Sequence, residues 1–387
     1  MKVLLLSKAC VVGAYQRKLE EIARQPDVQL TAVVPPEWRD ERGVLRLERA
    51  HTTGYELRVE PIALNGHFHL HYYPRLAQVM RQVQPDVVHI DEEPYNLATF
   101  QAMRAARRAA ARSVVFSWQN LRRHYPPPFS WMERYVLSHA DALLTGNSEG
   151  VDMWRTKGYR GPIEVVPQFG VDPEIFYRIE RRTRQSKPSV LLRRSARRPS
   201  REGMVIGYIG RLVPQKGVDV LLEAVTRLDG PWELRILGSG PEQDRLEKMA
   251  QWLSVLPRVT FDMPIPSTRM PYYYSGLDVL VLPSRTQPNW KEQFGRVLIE
   301  AMACGVVVVG ARSGAIPEVI GDAGLTFAEG DLADLRAQLQ VLLDDPVRRQ
   351  ELAQRGRQRV LENYTQTQVA IRTVEIYRQV TGTNHTG

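Results

Sequence analysis

The sequence contains little cysteine and little lysine, and it has no long apolar run free of charge. Its two cysteines, Cys10 and Cys304, are too few for a disulfide framework or a four-cysteine metal site. The apolar run at 3–6 is interrupted by Lys8, whereas a secretory signal needs roughly 7–15 apolar residues and a membrane-spanning helix roughly 20. We therefore expect a protein of the reducing cytoplasm, which meets a membrane only at its surface.

Arginine, in contrast, is abundant, with 44 residues against 8 lysines, so arginine alone does not indicate phosphate recognition. The net charge of +9 is typical of a protein with an anionic partner, such as nucleic acid, a membrane surface or a phosphorylated substrate. Residues 178–203 contain ten cations and two glutamates, and therefore carry +8 of this charge. The excess charge belongs to one segment, and the rest of the chain is nearly neutral.

The length of 387 residues predicts two domains. Short apolar runs, typical of buried parallel strands, alternate with amphipathic helical stretches. The runs fall at 3–6, 28–34, 86–90, 113–118, 142–144 and 163–166, and then at 204–209, 233–237, 258–261, 278–282 and 306–309. The alternation stops between them, which predicts two doubly wound α/β domains with a ligand cleft beyond the carboxyl ends of their strands. The predicted parts are an N-terminal domain (1–176), a basic linker (177–203), a second domain (204–362) and a C-terminal helix (363–387) packing back toward the first domain.

Two glutamates, Glu292 and Glu300, bracket a segment that begins a predicted helix at 294–304. If both were helical, they would stand roughly 12 Å apart along the axis, too far for a glycosidase pair at roughly 5–9.5 Å. The spacing suits contacts with two ends of one elongated ligand. Two structural roles remain open: Glu292 as an N-terminal capping acid and Glu300 as a solvated helix residue.

A second segment places Gly210 at the end of a predicted strand, followed by Arg211 and Lys216. The glycine allows close backbone approach, and the two cations can clamp a diphosphate. The loop is not a Walker A motif, and two ordinary surface cations remain the alternative. Gly238, in the G-x-G after the next strand, indicates either a turn or a further close approach.

Together, IGYIGRLVPQKG, ILGSGP, EQFGRVLIEAMACG and SGAIPEVIGDAG resemble the donor-binding half of the GT4-type retaining glycosyltransferases, which have the GT-B fold. The resemblance covers about residues 204–330, and QFGVDPEIF is similar to the motif before the family's linker; the N-terminal half resembles the family mainly in its strand–helix rhythm. It implies two Rossmann-like domains facing a central cleft. It also implies a metal-independent enzyme without cofactor, which moves a sugar from a nucleoside-diphosphate sugar to a hydroxyl of a saccharide or lipid-linked acceptor in polysaccharide or glycolipid synthesis.

The resemblance assigns roles to matching positions. Arg211 and Lys216 would bind the donor diphosphate and stabilise the leaving group, Glu292 would bind hydroxyls of the donor sugar, and Glu300 would hold the ribose. The other expected donor contacts are Gly13, Gly210, Gly238, Phe294, Gly295, Arg296, Val297 and Leu298. Gly13 stands alone where many relatives carry a glycine-rich loop.

Three N-terminal positions are candidate contacts for the acceptor or the sugar. Gln119 occupies the position where many relatives have a histidine, and an amide can exchange hydrogen bonds but cannot titrate. His89 and Glu92 lie at the end of the predicted strand 86–90. A structural histidine and an acid that caps the next helix are the alternatives.

Other functions also remain open at this stage. An epimerase on the same fold is one alternative, although Gln119 in place of a titrating group is evidence against it. A non-catalytic nucleic-acid-binding protein that uses the basic segment is another, but we expect no nucleic-acid partner because no recognised module is present. The basic segment 178–203 is either a contact for an anionic membrane surface or a solvated insertion.

Overall fold

The computed structural model describes residues 1–40, 43–179 and 203–382, so most of the predicted linker lies outside the described residues. The chain forms two compact units, the first made of Met1–Asp172 and Asn363–Gly387, the second of Pro173–Glu362. The first boundary precedes the predicted one at 176. Phe176 explains the difference, because its ring lies 6.3 Å from that of Tyr274 in the second unit.

The first unit is built on one parallel sheet of seven strands in the order β5-β2-β1-β6-β7-β8-β9, and a separate antiparallel hairpin joins β3 to β4. The strands are β1 (Lys2–Leu6), β2 (Gln29–Val34), β3 (Glu37–Asp40), β4 (Gly43–Arg46), β5 (Glu56–Val59), β6 (Val87–Ile90), β7 (Arg112–Ser117), β8 (Ala142–Thr145) and β9 (Ile163–Val165). The apolar runs of the central strands are buried on both faces, as a parallel sheet covered by helices requires.

Five helices accompany these strands: α1 (Arg17–Ala23), α2 (Leu76–Val83), α3 (Leu97–Arg108), α4 (Phe129–His139) and α5 (Ser148–Thr156). Asn147 caps α5, since its side-chain oxygen accepts a hydrogen bond from the Gly150 amide at 2.9 Å. The prediction assigned no elements to 35–85, where the structure has the β3–β4 hairpin, β5 and α2. These elements are short, and only one residue of the three strands, Trp38, is buried, so the strands lack a buried apolar run.

The second unit holds a six-stranded parallel sheet in the order β12-β11-β10-β13-β14-β15. Its strands are β10 (Met204–Ile209), β11 (Trp232–Leu237), β12 (Val259–Asp262), β13 (Val279–Leu282), β14 (Val307–Ala311) and β15 (Leu325–Phe327). Its helices are α6 (Val218–Val225), α7 (Gln243–Trp252), α8 (Met270–Tyr274), α9 (Arg296–Ala303), α10 (Ile316–Ile320), α11 (Leu332–Asp344) and α12 (Pro346–Asn363). The order reverses beside β10, so the carboxyl ends of β10 and β13 form the switch point at which ligands bind in such sheets.

The last helix, α13 (Gln366–Thr381), belongs to the first unit and packs on α1. The Gln366 amide exchanges hydrogen bonds with the backbone of Gly170, at 3.1 and 2.9 Å. Arg378 forms an ion pair with Asp27 at 2.6 Å. No helix in the three described ranges combines the length and apolar character that crossing a membrane requires.

Candidate active site

In the second unit, Lys216 lies on a short turn at 214–216, directly after the segment that leaves β10. The next residue, Gly217, has φ +66°, and a Cβ there would lie 2.0 Å from the carbonyl oxygen of Pro283. Only glycine fits this position. The turn therefore packs closely against the segment that follows β13. A hydrogen bond from the Arg285 amide to the Gln215 carbonyl, at 2.8 Å, joins the two segments.

Lys216 and Glu292, two of the predicted catalytic residues, are in direct contact. The Lys216 Nζ lies 2.5 Å from Glu292 Oε2, and Ser284 Oγ donates to the same oxygen at 2.9 Å. Glu292 is only 8% exposed, and the start of α9 has no side-chain cap. The capping role is thus wrong for Glu292, whose carboxylate binds a cation and a hydroxyl instead.

The ends of β10 and β11 approach each other closely at two of the predicted glycines. A Cβ on Gly238 would lie 1.9 Å from the carbonyl oxygen of Gly210, so a side chain is excluded there. Arg211 follows Gly210, and its carbonyl accepts a hydrogen bond from the Tyr208 hydroxyl at 2.8 Å. Its guanidinium is exposed and forms no ion pair with the residues that the structure describes, unlike Lys216.

The helix α9 begins at Arg296, two residues later than the predicted start at 294. Gly295 causes this shift, because its φ of +77° is left-handed and cannot continue a right-handed helix. Phe294 and Leu298 are buried, whereas Arg296 and Val297 are partly exposed. The first amides of the helix and its dipole favour an anion at this end.

Glu300 is buried rather than solvated, with 8% of its surface exposed. Tyr274 donates a hydrogen bond to its Oε2 at 2.8 Å, and Arg296 Nε lies 2.8 Å from its Oε1. Both carboxylate oxygens therefore have a neighbour that orients them. This arrangement rules out the solvated-residue interpretation and presents Glu300 as a fixed acceptor.

In the first unit, Glu92 follows β6 and is 3% exposed. Its carboxylate forms an ion pair with Lys8, and the Nε2 of His71 lies 3.6 Å away. Burial by itself raises the pKa of Glu92, but Lys8 and His71 outweigh it and lower the pKa to about 2. Glu92 is thus charged and paired, not a helix cap, since α3 begins only at Leu97.

Gln119 lies after β7 and is 6% exposed. Its Nε2 donates to the carbonyl of Leu121 at 2.9 Å, while its buried Oε1 has no hydrogen-bond partner among the described residues. Its backbone amide donates to Ser117 Oγ at 3.0 Å. A buried acceptor without a partner is uncommon, and a ligand hydroxyl would satisfy it.

Glu93 supports the segment that carries Gln119. Its carboxylate accepts hydrogen bonds from Ser117 Oγ at 2.6 Å and from the Trp118 amide at 2.9 Å. Burial raises the pKa of Glu93 to about 7, and repulsion from Glu92 adds to the effect, against the hydrogen bonds and the charge of Lys8. Of the acids that follow β6, the sequence singled out Glu92 and not Glu93.

Two predicted contacts have structural roles in the first unit. His89 is fully buried, and its Nδ1 lies 2.6 Å from the Tyr377 hydroxyl on α13; burial, and then the charge of Lys18, lower its pKa well below the usual value. The assignment of His89 as a ligand contact is therefore corrected, since its ring lies in the core. The Gly13 amide donates to Glu48 Oε2 at 2.7 Å, which already occupies the donor expected to approach a phosphate.

Three residues of the second unit were missed: Ser284, Trp290 and Tyr274. Ser284 comes two residues after the buried strand β13, and a polar residue at the carboxyl end of a parallel strand is a usable signal. Trp290 precedes Glu292 by two positions in a polar segment. Tyr274 carried no local signal, since its partner Glu300 is 26 residues further along the chain.

Two family profiles match the sequence. The profile described as "Glycosyl transferases group 1" matches residues 193–359, and "Glycosyl transferase 4-like domain" matches residues 12–168. The GDP-mannose-dependent alpha-(1-6)-phosphatidylinositol monomannoside mannosyltransferase of Mycolicibacterium smegmatis is 35% identical over 167 residues, 41% of this chain and 44% of that protein. Alpha-maltose-1-phosphate synthase of the same species is 30% identical over 268 residues, 65% of this chain and 66% of that protein.

Solved structures of low sequence identity share the fold. Sucrose-phosphate synthase from Thermosynechococcus elongatus has a TM-score of 0.71 at 19% identity, covering 99% of this chain and 100% of that one. HepE from Anabaena in complex with UDP has a TM-score of 0.70 at 17% identity, covering 98% and 100%. The fold is the GT-B fold of glycosyltransferases.

The two profiles together cover most of the chain, and the relatives agree with them. The chain belongs to the GT4-type family of glycosyltransferases. It spans about half the length of the first curated relatives it matches, with 44% of one and 52% of another covered.

Proposed function

We propose that this protein transfers a sugar from a nucleoside-diphosphate sugar to a hydroxyl group of a saccharide or lipid-linked acceptor. One observation carries the proposal: a cation and a carboxylate, Lys216 and Glu292, lie side by side at 2.5 Å close to the start of a helix. A diphosphate needs positive charge and amide donors, while sugar hydroxyls need a carboxylate acceptor. Lys216 and Glu292, in two loops of the second unit that contact each other, suit these two requirements.

The proposed roles follow from these contacts. Lys216 and the exposed Arg211 bind the diphosphate, together with the first turn of α9. Glu292 leaves its pairing with Lys216 and accepts hydrogen bonds from the hydroxyls of the donor sugar. Glu300, oriented by Tyr274 and Arg296, accepts hydrogen bonds from the ribose.

The proposed transfer retains the anomeric configuration and uses no metal. The acceptor oxygen approaches the anomeric carbon from the face that the diphosphate leaves. As the new bond between carbon and oxygen forms, the bond to the phosphate oxygen breaks and its electron pair stays with the phosphate. A phosphate oxygen takes the proton of the acceptor hydroxyl, and Arg211 and Lys216 stabilise the charge that develops on the leaving group.

For the acceptor, we propose that Gln119 and Glu92 contribute contacts. The unpartnered Oε1 of Gln119 can accept a hydrogen bond from a hydroxyl, and Glu92 offers a charged carboxylate. The mannosyltransferase relative acts on a phosphatidylinositol monomannoside, which supports a saccharide or lipid-linked acceptor and a role in polysaccharide or glycolipid synthesis. We place the enzyme in the cytoplasm, at the inner membrane face.

Screening nucleotide sugars by thermal shift tests the donor proposal, because a ligand that binds only the folded state raises its stability. We expect one nucleotide sugar to raise the melting temperature and to be turned over. Arg211→Ala should reduce kcat strongly and leave the melting temperature nearly unchanged, because its side chain is exposed. Lys216→Ala should also reduce kcat strongly, but it should lower the melting temperature, because it leaves the largely buried Glu292 carboxylate without its ammonium partner. Lys248→Ala, on the exposed face of α7, is the control. Near-normal turnover in either active-site variant would refute the assignment.

Membrane contact is tested separately by deleting residues 186–200 from the basic segment. Cations near an anionic surface contribute about 1 kcal/mol each, so the deletion should reduce binding to vesicles that contain anionic lipid. Equal binding by the deletion variant and the full chain would remove this part of the proposal. Donor turnover in solution should be the same in both.

A further inference from the structure

The indole of Trp290 stands over the predicted diphosphate-binding lysine. The centre of its ring lies 4.8 Å from Lys216 Nζ, within the distance of a cation–π interaction. Trp290 is only partly buried, and the residues on either side of it, Asn289 and Lys291, are polar, so core packing does not explain its presence at this position.

The segment that carries Trp290 is held in place by its backbone. The Gln287 amide donates to the Trp290 carbonyl at 2.7 Å, and the Trp290 amide donates to Gln287 at 3.2 Å, which closes a tight turn. At the base of this turn, Thr286 donates from its amide and its hydroxyl to Glu329, at 2.6 and 2.8 Å. The indole is therefore presented by a fixed turn.

The flexible side chain of Lys216 needs a contact that holds its ammonium group in place. Its side chain is 20% exposed, and a lysine has four flexible carbons and no preferred fork geometry. Its only carboxylate partner among the described residues is Glu292, which the proposed function assigns to the donor sugar. Under the proposed function, the ammonium must give up the Glu292 carboxylate to bind a phosphate, and the Trp290 ring is a contact that it can keep.

We propose that Trp290 is a positioning residue that holds the Lys216 ammonium while Lys216 exchanges the Glu292 carboxylate for a phosphate oxygen of a nucleoside diphosphate. This inference rests on the proposed function. An aromatic ring suits the task, since it attracts the ammonium without a negative charge that would repel the phosphates. A second carboxylate in that place would compete with the ligand.

The expected effect is specific to the ligand and to Lys216. Trp290→Leu keeps apolar bulk and removes the π face, and it should weaken nucleoside diphosphate binding about two- to fivefold, as a partly exposed cation–π contact of roughly 0.5–1 kcal/mol predicts. Trp290→Phe keeps an aromatic face and should restore most of the affinity. Trp252→Ala, at a tryptophan 81% exposed on α7, should change nothing.

Calorimetric titration with UDP, GDP and the matching monophosphates tests this. We expect the Trp290→Leu loss for the diphosphate that binds and a smaller loss for the monophosphate, which offers fewer phosphate oxygens. In a Lys216→Met background, Trp290→Leu should have no further effect, because the coupled partner is gone.

Equal affinity in wild type and Trp290→Leu would overturn the inference. So would an equal loss for diphosphate and monophosphate, or an undiminished loss in the Lys216→Met background, since each points to a merely structural role. If wild type itself bound neither diphosphate and none of the nucleotide sugars of the thermal-shift screen, the proposed function would fail first. Melting temperatures of all variants, measured in parallel, separate lost binding from lost folding, and Trp290→Phe supplies a second readout at the same position.

Discussion

Replacing Glu93 by glutamine should remove a pH dependence from the stability of the protein. The carboxyl lies among Ser117, the Trp118 amide, Lys8 and Glu92, and burial is the largest reason why its pKa rises from 4.5 to about 7. The folded state therefore keeps this proton over a range in which the unfolded chain has lost it. Glutamine has nearly the same shape and no titration, so it isolates the effect of the charge.

The sign and size of this pH dependence follow from the linkage between proton binding and folding. Because the pKa is raised in the folded state, the free energy of unfolding is highest below pH 4.5 and falls as the pH rises toward about 7. A pKa change from 4.5 to about 7 corresponds to about 3.4 kcal/mol, of which about 2.5 kcal/mol falls between about pH 5 and about pH 8. Over the same pH interval, the free energy of unfolding of Glu93→Gln should therefore rise by about 2.5 kcal/mol relative to that of wild type.

Urea unfolding of both proteins at several pH values measures this difference, with ¹³C NMR of labelled glutamate carboxyls as a direct titration. One resonance, absent in Glu93→Gln, should titrate near pH 7. A Glu93 resonance that titrates near 4.5, or parallel stability curves for the two proteins, would refute the reasoning. Parallel stability curves would mean that the effects of burial and of the local hydrogen bonds on the pKa of Glu93 cancel.

Two further substitutions test other parts of the structure. Lys8→Met leaves the buried Glu92 carboxylate without its ion-pair partner, so urea unfolding at neutral pH should show a free energy of unfolding that is lower by about 3–5 kcal/mol. Adding Glu92→Gln to Lys8→Met should recover much of this loss. No recovery in the double variant would show that the unpaired charge is not the cause. Gly217→Ala forces a left-handed residue and a Cβ against the Pro283 carbonyl, so it should lower the melting temperature well beyond Gly330→Ala, which is left-handed with open space around it and should cost roughly 1–2 kcal/mol. Similar losses at the two glycines would contradict the packing argument.

The strands that the sequence predicted are those buried on both faces. The runs at 3–6 and 204–209 consist of consecutive apolar residues, because each side of these strands meets helices. The β3–β4 hairpin and β5 were missed for the opposite reason, since Trp38 is the one buried residue in these three strands. A run of apolar residues in the sequence indicates a buried strand, and a partly exposed strand contains few such residues.

For the candidate site, local sequence named the charged residues but not their partners. Arg211, Lys216, Glu292 and Glu300 were singled out from loop position and spacing, and the resemblance to the GT4-type family supplied their expected donor roles. Local sequence patterns could not predict which residues surround these side chains. Whether Glu300 was solvated or buried depended on Tyr274, which comes from another helix.

The sequence by itself thus determined the alternation of strands and helices, the two-domain organisation and the kinds of charge at the site, since each of these is encoded in neighbouring residues. Only the tertiary structure decided which charges meet. Lys216 and Glu292 are 76 residues apart and share a hydrogen bond, while His89 is joined to Tyr377 across 288 residues. The first pair arises because parallel strands bring distant loops to one edge of a sheet, and the second because helix α13 packs against strands of the first unit. No local spacing in the sequence records either pair.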